Sequence, residues 1–163
     1  MLTHLPPGAS VHSITGRYVE SVETFVVDGA WRNFLIVKVT TNDGIVGWGD
    51  GTLGWKEFAV ESLVHEFADR HLVGRDPFRI EDLWFRLYQV EHNAGPVMFA
   101  AIAGLETPLW DIVGKATGQP VVNLVGGMLR DKVRVYANGW YADMHDLPKL
   151  QERVRRVVAM GYT

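Results

Sequence analysis

The chain has 163 residues, 47% of them apolar and 21% charged, which suits a folded globular protein with one core and room to begin another. A net charge of −3 predicts no nucleic-acid partner and no membrane-surface partner. Without cysteine there is no disulfide framework and no thiol nucleophile, which fits a cytoplasmic setting; Met1–Pro7 lacks the basic start and apolar run of a signal peptide, and no segment reads as an unbroken membrane span.

Residues 1–12, with Pro6, Pro7 and Gly8, read as a leader. A first strand is expected from near Ser13 toward Phe25, with Tyr18, Glu20, Val22 and Thr24 on one face, and Val27 to Trp31 as a loop. Asn33 to Thr41 alternates cleanly as a second strand. Asn42-Asp43-Gly44 supplies a positive-φ hairpin turn, and Ile45 to Trp48 is the return strand. Gly47 and Gly49 in that strand predict close approach of another backbone.

Helices follow. One is expected from about Lys56 to Leu72, stopped by Gly74. Asp76-Pro77 reads as a cap and first-turn proline for a second, with Ile80, Leu83, Trp84, Leu87 and Tyr88 as its apolar face. His92 to Pro96 reads as a turn. The stretch Ala101–Gly127 organises the rest: Ile102, Leu105, Leu109, Ile112 and Val113 make the stripe of a buried helix, Gly118 ends it, and Pro120 forbids its restart. Pro108 inside predicts a bent helix rather than a broken one. Glu106 and Asp111 lie off the strict apolar face and read as hydrogen-bonding groups, not a catalytic pair. Beyond Gly127, Lys132 to Ala137 alternates as a strand, and Asp146 caps a helix with Leu147, Leu150, Val154, Val157 and Val158 on one face. The fold class is therefore α+β, a three-stranded antiparallel sheet plus helices, with one βα unit after it.

The motif from Ala101 to Gly126 (small residues, Gly-Leu-Glu, Leu-x-Asp, Gly-Lys, Pro120, then Leu-x-Gly) resembles the mandelate racemase/muconate lactonizing enzyme branch of the enolase superfamily. Pro108 departs from it, standing where that family prefers Ala. Val64-His-Glu-Phe-Ala-Asp69, Gly74-x-Asp-Pro, Ile80-x-Asp-Leu-Trp, Gly95-Pro96 and Val125-Gly-Gly-x-x-Arg-Asp-Lys132 look most like the galactonate-dehydratase-like sugar acid dehydratases. Val90-Glu-His-Asn-Ala lacks the aromatic-Arg pair of galactonate dehydratases, so the exact sugar acid stays open.

The resemblance implies an N-terminal capping domain over residues 13–127 and the truncated start of a (β/α) barrel over residues 128–163. It implies a Mg²⁺-dependent enzyme that takes the proton alpha to a carboxylate and stabilises an enediolate. Its metal carboxylates and a base such as Lys would lie beyond Thr163, so the chain alone is expected to be inactive. A homo-oligomeric whole protein acting on a small acid sugar is also implied. Two cap loops cover the barrel mouth in related enzymes. Here they correspond to Val27–Arg32, offering Trp31 and Arg32, and Asp50–Trp55, offering Thr52 and Trp55. His92, in the turn before the central helix, and Asn138 and Trp140, at the end of the first barrel strand, complete the candidate substrate contacts. A racemase, epimerase or cycloisomerase on the same scaffold, and a non-catalytic binding or oligomerisation domain, remain open at this point.

Overall fold

The computed structural model describes residues 16–90, 95–141 and 145–162. The leader and His92 lie outside them. The chain divides into two compact units, Met1–Gly127 and Met128–Thr163.

The first unit opens with strands β1 (Val19–Asp28), β2 (Asn33–Thr41) and β3 (Val46–Asp50), antiparallel in the order β1-β2-β3. Leu35, Val37, Val39 and Thr41 of β2 are buried, as strict alternation requires of the strand's core face. β1 differs from the expected pattern. It starts at Val19 and runs on through Val27 and Asp28, where a loop is expected, because Asp28 still pairs with Asn33. Between Val19 and Ser21 the register shifts, the mark of a β-bulge. The extra residue reverses the side-chain alternation, so Val19 is fully buried, Val22 and Val26 pack against the core, and Tyr18 is exposed. β3 likewise extends two residues past Trp48.

Helix α1 (Glu57–Phe67) passes into a wider π-helical turn, Ala68–Leu72, whose closing bond runs from Val73 N–H to Ala68 O. Asp76 does not cap the next helix. Its Oδ1 accepts from the Phe78 N–H at 2.9 Å in a local turn, and α2 (Ile80–Val90) begins later.

Helix α3 (Pro96–Thr117) runs unbroken through Pro108 and stops at Gly118, which is left-handed at φ 66°. By length and composition α3 would suffice to cross a membrane, contrary to the reading of the sequence. Its stripe is core: Met98, Ile102, Leu105, Leu109, Ile112 and Val113 are buried. Each large side chain so buried contributes roughly 1.5–3 kcal/mol before entropy. A Cβ on Gly49 would lie 2.5 Å from Pro108 Cδ and 2.6 Å from Gly104 O, and one on Gly47 would run into the Pro108 carbonyl. The glycines of β3 therefore let the proline turn of α3 lie directly on the strand's backbone. Asp111 fastens the same contact: its Oδ2 accepts from Trp48 N–H at 3.0 Å and from Lys115 Nζ at 2.7 Å, while Lys115 also donates to Val46 O. Glu106 accepts from the Trp110 indole at 3.1 Å. Both acids are the hydrogen-bonding groups the sequence suggested. A short helix, α4 (Val121–Leu124), closes this unit.

In the second unit, Lys132–Ala137 forms no strand among the described residues, which corrects the expected βα unit. Alternation makes a strand only when a neighbour completes the ladder, and none of the described strands pairs with it. Helix α5 (Leu147–Ala159) forms as expected, with Asp146 Oδ1 accepting from the Lys149 N–H at 3.2 Å.

Candidate functional site

The sheet carries two of the candidate loops to one end. The β1–β2 connection is Gly29–Arg32, while the chain leaving β3 is tied back to β2: Gly51 N–H donates to Leu35 O and Leu35 N–H donates to Thr52 Oγ1, both at 2.9 Å. Thr52 thus lends its hydroxyl oxygen to the sheet, and its own amide is turned inward by Asp50 Oδ1 at 2.7 Å.

In the first loop, Asp28 Oδ1 holds the Ala30 N–H at 2.8 Å, and Gly29 N–H donates to Arg32 O. These bonds fix the loop so that Arg32 folds against two rings. Its guanidinium carbon lies 5.0 Å from the Trp31 ring centre and 5.2 Å from that of Phe34, with the rings edge to face. Nε of Arg32 is buried and has no hydrogen-bond partner among the described residues. Trp31 itself is 72% exposed. A flat cation held by aromatics, with donors to spare, has the chemistry to take a planar or polyhydroxylated oxygen ligand. Phe34 was not among the residues picked from the sequence, where it read only as one position of an alternating strand.

The second loop presents Trp55, 86% exposed. Ala30 and Trp55 are the two non-glycine residues of positive φ among those described, at 69° and 66°. Such backbone costs on the order of 1–3 kcal/mol each and gathers at ligand-binding loops. Glu57, buried at the start of α1, helps hold this one by accepting from the Trp55 N–H at 3.2 Å.

Asn138 and Trp140 belong to the second unit. Asn138 Oδ1 accepts from Gly139 N–H and from Tyr141 OH, both at 2.9 Å, and Trp140 stands edge to face with Tyr141. The segment before them, Lys132–Ala137, is not a strand among the described residues, so they do not stand at a strand's end. Trp140 lines a groove with Tyr136, Val154, Val157 and Tyr162. Among the described residues no group of three or more His, Asp or Glu side chains could hold a metal ion, so these side chains do not fit a Mg²⁺ centre.

Residues 21–126 match the family described as mandelate racemase/muconate lactonizing enzyme, N-terminal domain. The chain belongs to that family, within the enolase superfamily, and its sheet and helices are the family's capping domain. More narrowly, it is 45% identical over 140 residues to a D-galactonate dehydratase family member from Streptomyces bingchenggensis, covering 84% of this chain and 33% of that one. Among solved structures, a candidate dehydratase from Mesorhizobium loti superposes with a TM-score of 0.82 at 36% identity, over 88% of this chain and 40% of that one. An enolase from Pantoea ananatis with bound D-gluconate and Mg gives 0.75 at 32% identity, over 90% and 35%. The chain thus spans about a third of the length of the curated relative it matches.

Proposed function

We propose that this chain is the substrate-selecting N-terminal portion of a Mg²⁺-dependent acid sugar dehydratase. In that reading, residues 128–163 begin the (β/α) barrel, and residues outside the described ones supply the metal ligands and take the alpha proton. The reaction removes that proton and the neighbouring hydroxyl as water, leaving a 2-keto-3-deoxy acid. The observation that carries the reading is the Arg32 clamp. A guanidinium held against Trp31 and Phe34, with an unpartnered Nε, sits at the same end of the sheet as the exposed Trp55. Relatives named as D-galactonate dehydratases and a structural neighbour holding D-gluconate support an acid sugar as the ligand.

Arg32 would bind the end of the substrate remote from the reacting carbon. It touches no reacting atom, so its contribution is made alike in ground and transition states. The test uses the full-length protein, Mg²⁺ and a panel of aldonic acids, reading 2-keto-3-deoxy acid release. Arg32→Ala is expected to raise KM by roughly ten- to a hundredfold, the equivalent of a lost charged hydrogen bond of roughly 1.5–3 kcal/mol, with kcat nearly unchanged. Arg32→Lys should rescue little, because an ammonium has no planar fork to stack on a ring and donate side by side. Alpha-proton exchange without loss of water would transfer the protein to the racemases and epimerases. An unchanged KM with lowered folding stability would make Arg32 a packing residue.

A further inference from the structure

The motif Gly74-Arg75-Asp76-Pro77 and the following Arg79-Ile80-x-Asp82-Leu83-Trp84-x-Arg86 have no part in the site above, yet they build a charged corner. Arg75, Arg79, Asp76 and Asp82 line a narrow cleft over Leu72, Leu83 and Leu109. Asp82 serves two arginines at once: its Oδ2 is 3.7 Å from the Arg79 guanidinium and 3.1 Å from Arg86 Nε. The Arg86 contact lacks the alignment of a hydrogen bond. Asp76 Oδ1 is occupied by the Phe78 N–H.

Arg75 is left over. Its side chain is half-buried and makes no hydrogen bond or ion pair among the described residues. Burial, and after it the nearby Arg86 charge, pull its pKa below the ordinary guanidinium value; Asp82 only partly offsets them. A half-buried guanidinium carries five donors that need acceptors. Its backbone is also fixed. Val19 N–H donates to Arg75 O at 2.9 Å, Gly74 N–H donates to Val19 O at 2.8 Å, and Arg75 N–H donates to Leu72 O. The guanidinium is therefore presented from a rigid anchor, at the end of the sheet opposite Gly29–Arg32.

We propose that Arg75, Arg79 and Arg86 form a binding site for a small oxyanion of the phosphate class. Arg75 and Arg79 line the cleft and Arg86 reaches it through Asp82, three cations against the two carboxylates Asp76 and Asp82, so an anion entering the cleft meets a positive excess. The cleft's narrowness limits the ligand to a free ion or a single phosphoryl group of a small molecule. The site is independent of the function proposed above.

The test is arginine-selective labelling of the 163-residue chain with phenylglyoxal, read residue by residue by mass spectrometry. Inorganic phosphate is compared with sodium chloride at equal ionic strength, which removes simple screening. Phosphate is expected to slow modification of Arg75 several-fold and saturably. Arg70, exposed and paired with Glu66 at 2.8 Å, serves as the internal control and should be unaffected. Arg79→Gln, a change at an exposed side chain, should weaken the protection of Arg75 without unfolding the protein. A phosphomonoester that protects where phosphate does not would identify the phosphoryl source as a metabolite. Equal slowing at Arg70 and Arg75 would overturn the proposal. So would protection that ignores phosphate and grows with protein concentration, since a carboxylate of another chain would then be what covers the corner.

Discussion

Arg17 and Asp43 stand 26 residues apart and meet across the mouth of the β2–β3 hairpin. Arg17 Nε donates to both carboxylate oxygens at 3.0 and 2.8 Å, its Nη2 lies 2.6 Å from Oδ2, and Thr41 Oγ1 donates to Oδ1 at 2.6 Å. The Arg17 hydrogen bonds first, then that from Thr41, lower the Asp43 pKa from 3.8 to about 2. A carboxylate whose folded pKa lies below its unfolded one adds stability that is complete above the unfolded value. That stability fades as pH falls from about 3.8 through about 2. Asp43→Asn should therefore be less stable than the parent near neutrality, with the gap closing as pH drops through that window. Urea denaturation at a series of pH values measures it. A gap that stays constant down to pH 2 would show that the pair is solvated away. The Asn-Asp-Gly turn was readable as a turn from residue types alone, and Gly44 takes its positive φ of 83°. The partner of Asp43 was not, because nothing local ties position 43 to position 17. The same holds for Arg32: its loop was readable from glycine and aspartate, whereas its seat on Phe34 needs two strand positions in register.

Among the elements, α3 against β3 shows how two residues that each look unfavourable explain one another. Proline in a helix interior costs about 3 kcal/mol alone, and glycines weaken a strand. Here the Gly104 carbonyl released by Pro108 and the proline ring both lie where a Gly49 side chain would be. Gly49→Ala should destabilise by about 1–3 kcal/mol through overpacking. In a Pro108→Ala background the ring obstacle goes and only the Gly104 carbonyl remains, so part of that cost should vanish, by at least about 0.5 kcal/mol of coupling. Gly47→Ala should gain nothing from the same background, since its obstacle is the carbonyl of residue 108, which alanine keeps. Equal coupling at both glycines, measured by chemical denaturation of the four variants in each cycle, would mean that α3 shifts as a body. Close approach at Gly47 and Gly49 was legible in the sequence, as were the helix stripe and its stop at Gly118. The bulge between Val19 and Ser21 was not: one extra residue costs no recognisable pattern in a strand of mixed polarity, yet it reverses which side chains reach the core.

At the scale of the whole molecule, the two units differ in how well they cover their apolar surface. In Met1–Gly127 the stripes of α1, α2 and α3 and the inner face of the sheet close on one another, down to Leu87, Leu105 and Val37 at 0% exposure. Met128–Thr163 has no buried hydrophobic residue among those described. Val133 is 74% exposed, Leu147 66% and Val158 60%. Alternation at Lys132–Ala137 reads as a strand, and the described structure has none there. Alternation could not supply the ladder that makes a strand, because pairing depends on what lies beside the segment and not on its own residues. Unpaired backbone next to an apolar helix face is the combination that invites another chain. The 163-residue chain should therefore self-associate as its concentration rises, whereas a chain ending at Gly127 should run as a monomer. Size-exclusion chromatography with light scattering over a concentration series reads the difference. Leu147→Lys with Val158→Lys should restore monomer to the longer chain, because both side chains sit on the open face of α5 and support no core. A longer chain that is already monomeric at every concentration would show that residues 128–163 bury this face by themselves.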